Sequence, residues 1–241
     1  IVGGIAKILA KSFNLSQVAR LVVKFHDNDG NENIQKNGEL PLLTHLVKLS
    51  DNESIFFDIG ANIGGYSSEL IRAGVKGKLI LIDPLSRNLR VAHDKMKELD
   101  FMNFQTLECA VSDSKGMATF YSNTNSDLSA HDSLHDMQAI GYDTNVTKTE
   151  MQVTTLDDIL CDLDIEKVHF MKIDVEGNEL KVFDGARATL ERGAVKFIQF
   201  EFGNAAKAAR VFLYDLVSLL ESNHYKIYVV KPRGLMPLNY S

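Results

Sequence analysis

The chain alternates short apolar runs with segments whose apolar residues recur at helical spacing. Short apolar runs closed by acidic residues or glycine are typical of strands buried on both faces of a sheet. We predict strands at 54–59, 78–82, 104–109, 168–173 and 196–202. Helical spacing predicts helices between or after them at 64–73, 86–99, 155–160, 185–191 and 205–221. This alternation predicts an α/β fold with a mostly parallel, twisted sheet and helices on both faces.

Further segments flank or interrupt this alternation. A short helix is predicted at 41–49 and an extra strand at 117–121. The runs 225–231 and 235–238 flank a Pro-Arg-Gly turn, which predicts a C-terminal antiparallel hairpin. Residues 123–150 are polar and weakly periodic, as in a functional loop or a disordered segment. We predict an N-terminal helical extension at 1–50 and a single domain at 51–241, with 123–150 as its substrate loop.

Composition narrows the class of protein. Of the 241 residues, 45% are hydrophobic and 24% are charged, as in globular domains. The net charge of −6 lacks the basic excess of nucleic-acid-binding proteins, so we expect no nucleic-acid partner. Cys109 and Cys161 form no paired motif, which excludes a disulfide scaffold and favours a reducing, cytoplasmic location. No apolar run reaches 18 residues, so no transmembrane helix is expected.

The first 25 residues differ in charge from the rest of the chain. They contain four basic residues and no acidic residue. Ser16 would begin a helix in which Val18, Leu21, Val22 and Phe25 lie on one face. This pattern fits a helix packed beside the domain, and it also fits weak surface association of residues 1–25 with an acidic membrane or partner.

A glycine-rich segment at 57–67, FDIGANIGGYS, carries the strongest chemical signal. It follows a predicted strand, and Gly60 permits a tight turn there. Gly64 and Gly65 begin a helix whose free N–H groups favour an anionic or carbonyl group. Asp83 ends the next strand, where an acid can accept from both ribose hydroxyls. These positions predict an adenosine-ligand site, although a tight turn without a ligand has the same pattern. The dinucleotide spacing G-x-G-x-x-G is missing, which argues against a nicotinamide dehydrogenase.

Two further motifs contain titratable groups. The segment 171–179, MKIDVEGNE, closes a strand with acids at Asp174, Glu176 and Glu179. These acids would face the same sheet edge as the glycine loop, although a solvated strand end is the alternative. The segment 131–135, HDSLH, nearly matches the zinc-protease helix H-E-x-x-H, but Asp132 is shorter than Glu. We therefore predict no metal site, and place His131 and His135 in a loop near the acceptor or on a mobile surface.

In family order, these motifs resemble the FkbM-type methyltransferases that use S-adenosylmethionine. The matching pieces are FFDIGANIGGYSSEL (56–70), LIDPLSRNL (81–89), LECAVSDSKGMATFY (107–121), VTTLDDIL (153–160) and FMKIDVEGNELKVFDGA (170–186). The resemblance implies a Rossmann-like class I methyltransferase fold. It also implies O-methylation of a hydroxyl group, with a sugar or natural product as the acceptor and S-adenosylhomocysteine as the product.

The resemblance also implies the site residues. Asp174 and Glu176 would be catalytic, as a general base or beside one. The expected cofactor pocket contains Asp58, Gly60, Ala61, Asn62, Gly64, Tyr66, Ser67, Asp83, Pro84, Ala110, Val111, Ser112 and Asp174. His131, His135 and Glu201 are assigned to acceptor binding. Two positions depart from the family, since Asp83 replaces a frequent glutamate and Asn178 a frequent histidine.

The sequence leaves two alternatives to O-methylation open. A protein of this fold that binds the cofactor or a glycan without turnover would carry the same motifs. N-methylation also stays open, because a fold does not determine the acceptor. The expected partner is a small molecule or a glycan, and no pattern in the sequence indicates an oligomeric state.

Overall fold

The computed structural model describes residues 33–123, 133–135, 146–203 and 205–238. In these ranges the helices are α1 Glu39–Lys48, α2 Gly65–Arg72, α3 Ser86–Glu98, α4 Leu156–Asp162, α5 Glu179–Asp184, α6 Arg187–Glu191, α7 Ala205–Ala209 and α8 Leu213–Ser222. The strands are β1 Ile55–Ile59, β2 Lys78–Asp83, β3 Phe104–Glu108, β4 Ala110–Val111, β5 Gly116–Asn123, β6 Val146–Thr154, β7 Val168–Ile173, β8 Val195–Phe200, β9 Tyr228–Lys231 and β10 Gly234–Pro237. The chain divides into two compact units, one with the described residues 33–42 and 228–238, and one with 43–227.

Five parallel strands form the centre of the larger unit, in the order β3-β2-β1-β7-β8. β1, β2 and β7 are apolar along almost their whole length, because helices cover a parallel sheet on both faces. Strand order reverses at β1, which pairs with β2 on one side and β7 on the other. Ligands of open α/β sheets bind outside the carboxyl ends of the strands at such a reversal. The expected Rossmann-like fold is confirmed, and its reversal lies between the two predicted motifs.

Alternate residues of the strands face opposite sides of the sheet. Phe57, Ile80 and Met171 belong to one hydrophobic cluster with residues of α4, α5, α6 and α8. Phe56 and Phe170 are also fully buried but face the other side. There the ring of His169 packs near Phe56, and its Nε2 lies 3.0 Å from the carbonyl oxygen of Leu46 in α1. Both faces of the sheet are therefore covered.

A second, three-stranded sheet has the order β4-β6-β5. β5 and β6 run antiparallel, with Gly116 opposite Val153 and Asn123 opposite Val146. The expectation of an irregular segment over 123–150 is wrong for residue 123, which ends β5, and for residues 146–150, which lie in β6. Residues 147–150 are exposed, so hydrophobic alternation does not reveal the strand. Residue 133 forms an isolated antiparallel bridge with Tyr121 of β5.

Two predicted helices differ from the structure. The helix expected at 205–221 is two helices, α7 and α8, because Arg210 between them has a left-handed backbone with φ of +57°. The helix expected at 185–191 is preceded by α5, so the MKIDVEGNE motif leads directly into a helix. The predicted N-terminal helix near Ser16 lies outside the described residues, as do 124–132 and 136–145.

The C-terminal hairpin is confirmed as β9 and β10, which pair antiparallel in a two-stranded sheet of their own. In the same unit, Gly38 approaches the hairpin so closely that a Cβ there would lie 2.2 Å from the carbonyl oxygen of Lys231. Within the described residues, no helix is both long and apolar enough to cross a membrane.

Candidate active site

The turn after β1 lies between the ends of β2 and β7. The amides of Gly60 and Ala61 both donate to the carbonyl oxygen of Ile82, at 2.9 Å each. On the other side, a Cβ on Gly60 would lie 1.8 Å from the carbonyl oxygen of Asp174, and the φ of Gly60 is +80°. Only glycine fits both the space and the backbone conformation here. The glycine loop and the MKIDVEGNE motif are therefore in direct backbone contact.

Asp83 joins the glycine loop to the turn after β2. Its Oδ2 accepts from the amide of Asn62 at 2.9 Å. Its Oδ1 accepts from the amide of Leu85 at 2.9 Å and from Nδ2 of Asn88 at 3.1 Å. The carboxylate is buried and orders both turns. The structure thus places Asp83 at the predicted position, and shows a bracing role that its sequence position did not reveal.

Asn62 has a left-handed backbone, with φ of +47°. Its Oδ1 is buried and has no hydrogen-bond partner among the described residues. An unpaired buried acceptor is costly in a folded protein, and in a binding loop it is a group that a ligand can satisfy. This residue therefore fits the expected cofactor contact.

The N-terminus of α2 is open to a ligand. Gly64 precedes the helix with φ of +74°, and a Cβ there would lie 2.9 Å from the Cβ of Ala92. Gly65 is exposed, and a Cβ on it would meet no described atom within 4 Å. The first turn of a helix has unpaired N–H groups, which attract anionic or carbonyl oxygens.

The next three predicted cofactor residues have their side chains bonded within the protein. The Ser67 hydroxyl donates to Oδ2 of Asp58 at 2.6 Å, and both residues are buried. Burial raises the pKa of Asp58, while the Ser67 bond and the charge of Lys172 act in the opposite direction. The Tyr66 hydroxyl donates to Oε1 of Gln199 at 2.8 Å. These bonds hold α2 against the ends of β1 and β8.

Acidic groups surround one buried lysine at the carboxyl end of β7. Nζ of Lys172 donates to Oδ2 of Asp174 at 3.0 Å and lies 3.9 Å from Oε2 of Glu201. Burial alone would lower the pKa of Lys172, but the charges of Asp174 and Glu201 outweigh it and raise the pKa. Sequence analysis did not single out this lysine, although a charge inside the apolar strand VHFMKI was the available signal.

Glu176 holds its proton more tightly than an ordinary glutamate. Burial, followed by the charges of Asp174, Glu201 and Glu179, raises its pKa to about 8, and Lys172 only partly opposes them. Its backbone is left-handed, with φ of +50°. The carboxyl group is therefore mostly protonated at neutral pH.

Glu179 shapes the turn that carries Glu176. Its Oε1 accepts from the amides of Val175 and Gly177, at 3.1 and 3.3 Å. Gly177 has φ of +99°, and a Cβ on it would lie 2.7 Å from the carbonyl oxygen of Ala205. This turn is thus held by its own helix and by α7.

Residues 133–135 lie beside the same turn. The Ser133 hydroxyl donates to the carbonyl oxygen of Glu176 at 2.7 Å, and accepts from the amide of His135 at 3.0 Å. Burial and then the charge of Lys181 lower the pKa of His135, while the Asn178 side chain raises it. Nε2 of His135 and Oδ1 of Asn178 are buried without a well-formed hydrogen bond among the described residues. His131 lies outside the described residues, and the side chain of Glu201 is 60% exposed.

The predicted Ala110-Val111-Ser112 segment adjoins this region. Ala110 and Val111 form β4, and the carbonyl oxygen of Val111 accepts from Nδ2 of Asn178 at 2.8 Å. The amide of Ser112 donates to the carbonyl oxygen of Thr154 at 2.9 Å. Asn178 thus connects this segment to α5. Pro84 follows Asp83 in the turn before α3.

A cavity of about 670 Å³ lies at the opposite edge of the sheet, between 47–53 and 73–76. These residues precede β1 and β2, so the cavity is separate from the carboxyl-end site. Among the described residues, no three side chains of His, Cys, Asp or Glu are grouped to hold a metal ion.

Comparisons with known proteins identify the family of the chain. A model of the methyltransferase FkbM domain matches residues 58–227. The 2-O-methyltransferase NoeI of Sinorhizobium fredii is 25% identical over 218 residues, which are 85% of this chain and 86% of NoeI.

Similar solved structures are more distant. A SAM-dependent methyltransferase from Aquifex aeolicus has 15% identity and a TM-score of 0.44, with 92% of this chain and 95% of that chain covered. A putative rRNA methylase from Clostridium thermocellum has 9% identity and a TM-score of 0.45, with coverage of 80% and 86%. The family assignment rests on the family model, which covers both predicted motifs.

Proposed function

The chain belongs to the methyltransferase FkbM family, and we propose that it uses S-adenosylmethionine to methylate a hydroxyl group of a sugar or natural-product acceptor. One observation carries the proposal. The glycine loop after β1 and the acidic turn after β7 meet at Gly60 and Asp174, where the strand order reverses. Cofactor-binding and proton-accepting residue types are therefore adjacent at the edge where this fold binds ligands.

The residues of the first motif fit an adenosylated cofactor. The exposed Gly65 leaves space at the start of α2, and the buried Oδ1 of Asn62 can accept from a ligand. Asp58, Asn62 and Asp83 would hold the cofactor together with the amides of the glycine loop. Ala110, Val111 and Ser112 would complete the pocket. When bound, the cofactor supplies an electrophilic methyl group on a sulfonium.

The acceptor oxygen needs a group that takes its proton. Sugar hydroxyls are weak nucleophiles at neutral pH, and a positioned base typically contributes about 10²–10⁴-fold in rate. The side chain of Glu176 is half-buried beside Asp174, and its raised pKa suits a group that gains and loses a proton near neutrality. We assign the role of proton acceptor to the ionised form of Glu176, with Asp174 beside it. His135 and Glu201 are the proposed acceptor contacts.

O-methylation is favoured because NoeI, the named relative, is a 2-O-methyltransferase. A small-molecule or glycan acceptor is proposed from the resemblance to the FkbM-type family. The two cysteines, Cys109 and Cys161, are both free in the structure, which favours a reducing, cytoplasmic compartment.

The test is calorimetric titration with S-adenosylmethionine and S-adenosylhomocysteine. We expect both to bind, and Asp83→Ala to abolish binding because it removes the link between the two turns. Asp94→Ala is the matched control, since its side chain is exposed on α3, the helix that follows Asp83. Asp83→Asn, which keeps the shape of the side chain, separates loss of charge from loss of the turn.

A transfer assay with radiolabelled methyl groups then screens hydroxylated acceptors. Transfer to a hydroxyl group supports the proposal. Transfer to an amine would show that the reaction is N-methylation instead of O-methylation. Binding without transfer to any acceptor favours a module that holds the cofactor without turnover. A folded wild-type protein that binds neither compound would refute the proposed function.

A further inference from the structure

Lys172 is a buried charge near the carboxyl end of β7 in the parallel sheet. Its side chain is 5% exposed, and its neighbours Met171 and Ile173 belong to the apolar cluster on the other face. Burying an ammonium group is unfavourable unless anions pair with it. Because an apolar residue of similar size is often equally stable or more stable at such a position, packing alone does not explain the lysine.

The groups that act on Lys172 come from β1, the ends of β7 and β8, and α2. Asp174 follows its own strand β7 and lies 3.0 Å from Nζ, and Glu201 follows β8 and lies at 3.9 Å. The charge of Asp58 in β1 also acts on it. From α2, the ring of Tyr66 lies 5.6 Å below Nζ, within the range of a cation–π contact. The ammonium group is thus surrounded by three carboxyl groups and one aromatic face.

The Tyr66 ring, which lies under the ammonium group, is held in place by two contacts. The Tyr66 ring stacks on Phe170, with centroids 6.2 Å apart and planes at 21°. Its hydroxyl is held by Gln199, which pairs with Lys172 in the register of β7 and β8. A lysine fixed in this way can hold its partner carboxylate in one position.

Lys172 acts in different ways on Asp174 and Glu176, the two carboxyl groups that follow β7. Asp174 accepts a hydrogen bond from the lysine, and Oε1 of Glu179 accepts from two backbone amides. Charges of Asp174, Glu201 and Glu179 act on Glu176, and Lys172 is the cation that opposes them. The charge of the lysine therefore acts on both Asp174 and Glu176, but the lysine donates a hydrogen bond only to Asp174.

We propose that Lys172 is a positioning residue of the methyl-transfer site: its ammonium group holds the Asp174 carboxylate beside Glu201, and leaves Glu176 to exchange the proton. The inference rests on the proposed function, since it assigns a role within the same site. It predicts that the charge and the shape of Lys172 have separable effects. The charge sets the protonation of Glu176, and the shape sets the position of Asp174.

The charge is tested in cofactor-free protein, by NMR titration of ¹³C-carboxyl-labelled glutamate. The Glu176 resonance is identified by its loss in Glu176→Gln. In wild-type protein its midpoint is expected near pH 8. In Lys172→Met, which has a similar length and no charge, the midpoint rises by roughly half a pH unit or more. In Lys172→Arg the charge remains, and the midpoint stays near that of the wild type.

A third variant tests the same network if Lys172→Met does not fold. Glu201→Gln changes an exposed side chain and removes a negative charge that acts on Glu176, so the midpoint falls. An unchanged midpoint in folded Lys172→Met overturns the proposal, and where Lys172→Met is unfolded, a wild-type kcat in Lys172→Arg overturns it. These titrations need no cofactor, so they stand even if the proposed function fails.

The shape is tested by kinetics with an acceptor found in the transfer screen. Lys172→Arg is expected to lower kcat by about 100-fold with little change in the KM of the cofactor, because Asp174 is displaced. If Lys172→Arg has the kcat of the wild type while Lys172→Met does not, the positioning role is contradicted. A wild-type protein without methyl transfer refutes the proposed function instead.

Discussion

Glu176 makes the stability of the protein depend on pH. Its pKa is raised from 4.5 to about 8 in the folded state, so the folded protein binds the proton more tightly than the unfolded chain. The cost of ionising it is absent below about pH 4.5, grows as the pH rises, and is complete above about pH 8. Stability therefore falls across this window.

Glu176→Gln removes that cost. We expect the variant to be more stable than the wild type at pH 9, by roughly 1–2 kcal/mol after discounting for partial exposure. The gain should shrink towards pH 5, where the wild-type carboxyl group is protonated. Urea unfolding at pH 5, 7 and 9 measures it, with the exposed Glu53→Gln as control. A gain that does not vary with pH would contradict the raised pKa.

Gly60 is the position where a single methyl group has the largest predicted effect. Gly60→Ala places a Cβ 1.8 Å from the carbonyl oxygen of Asp174, at a φ of +80° that alanine disfavours. We expect a loss of roughly 3 kcal/mol or more in the free energy of unfolding. Gly65→Ala is the control, because its Cβ meets nothing within 4 Å and alanine favours the helix. Chemical denaturation of both variants tests this, and equal stabilities would disprove the contact.

At the scale of elements, Asp157 connects two helices of the larger unit. It lies in the first turn of α4, and its carboxylate accepts from the amides of Ala188 and Thr189 at the start of α6, at 3.0 and 2.9 Å. Asp157→Ala leaves these amides unpaired and should cost about 1–2 kcal/mol. The adjacent Asp158→Ala is the matched control, since Asp158 bonds to the Thr155 hydroxyl through its backbone amide. Thermal unfolding compares them, and equal losses would argue against this cap.

Sequence patterns predicted the elements whose side chains are buried. The apolar runs of β1, β2 and β7 end within one residue of the predicted bounds, because burial on both faces leaves a continuous apolar signal. β6 was missed because backbone pairing with β5, rather than an apolar face, holds its exposed first half. The break at Arg210 was missed because no glycine or proline marks it.

In the candidate site, too, sequence patterns predicted some features and missed others. Glycines and acids at strand ends predicted where Gly60, Asp83 and Asp174 would meet, since parallel strands bring their carboxyl ends to one edge. The pairing of Lys172 with Glu201, which follows β8, depends on side-chain geometry across β7 and β8. Local patterns do not report such contacts between distant parts of the chain.

For the whole molecule, the two edges of the central sheet should respond differently to a ligand. The proposed site uses the turns at 58–65, 83–85 and 174–177 at the carboxyl edge, whereas the 670 Å³ cavity uses 47–53 and 73–76 at the amino edge. Binding slows hydrogen exchange in segments that open locally and are held by the ligand. It also slows any exchange that requires global unfolding.

Hydrogen exchange with S-adenosylhomocysteine at about 100 times its dissociation constant tests this asymmetry. The global gain in stability is then about 2.7 kcal/mol, and amides that exchange only by unfolding slow throughout the protein. Amides in 58–65, 83–85 and 174–177 that exchange by local opening should exchange more slowly when the ligand is bound. Amides in the loops 50–53 and 73–76 should exchange as fast as in the protein without ligand. These loops are an internal control, because they belong to the same unit and precede two strands of the same sheet. Protection at 50–53 and 73–76 instead would move the ligand site to the amino-edge cavity.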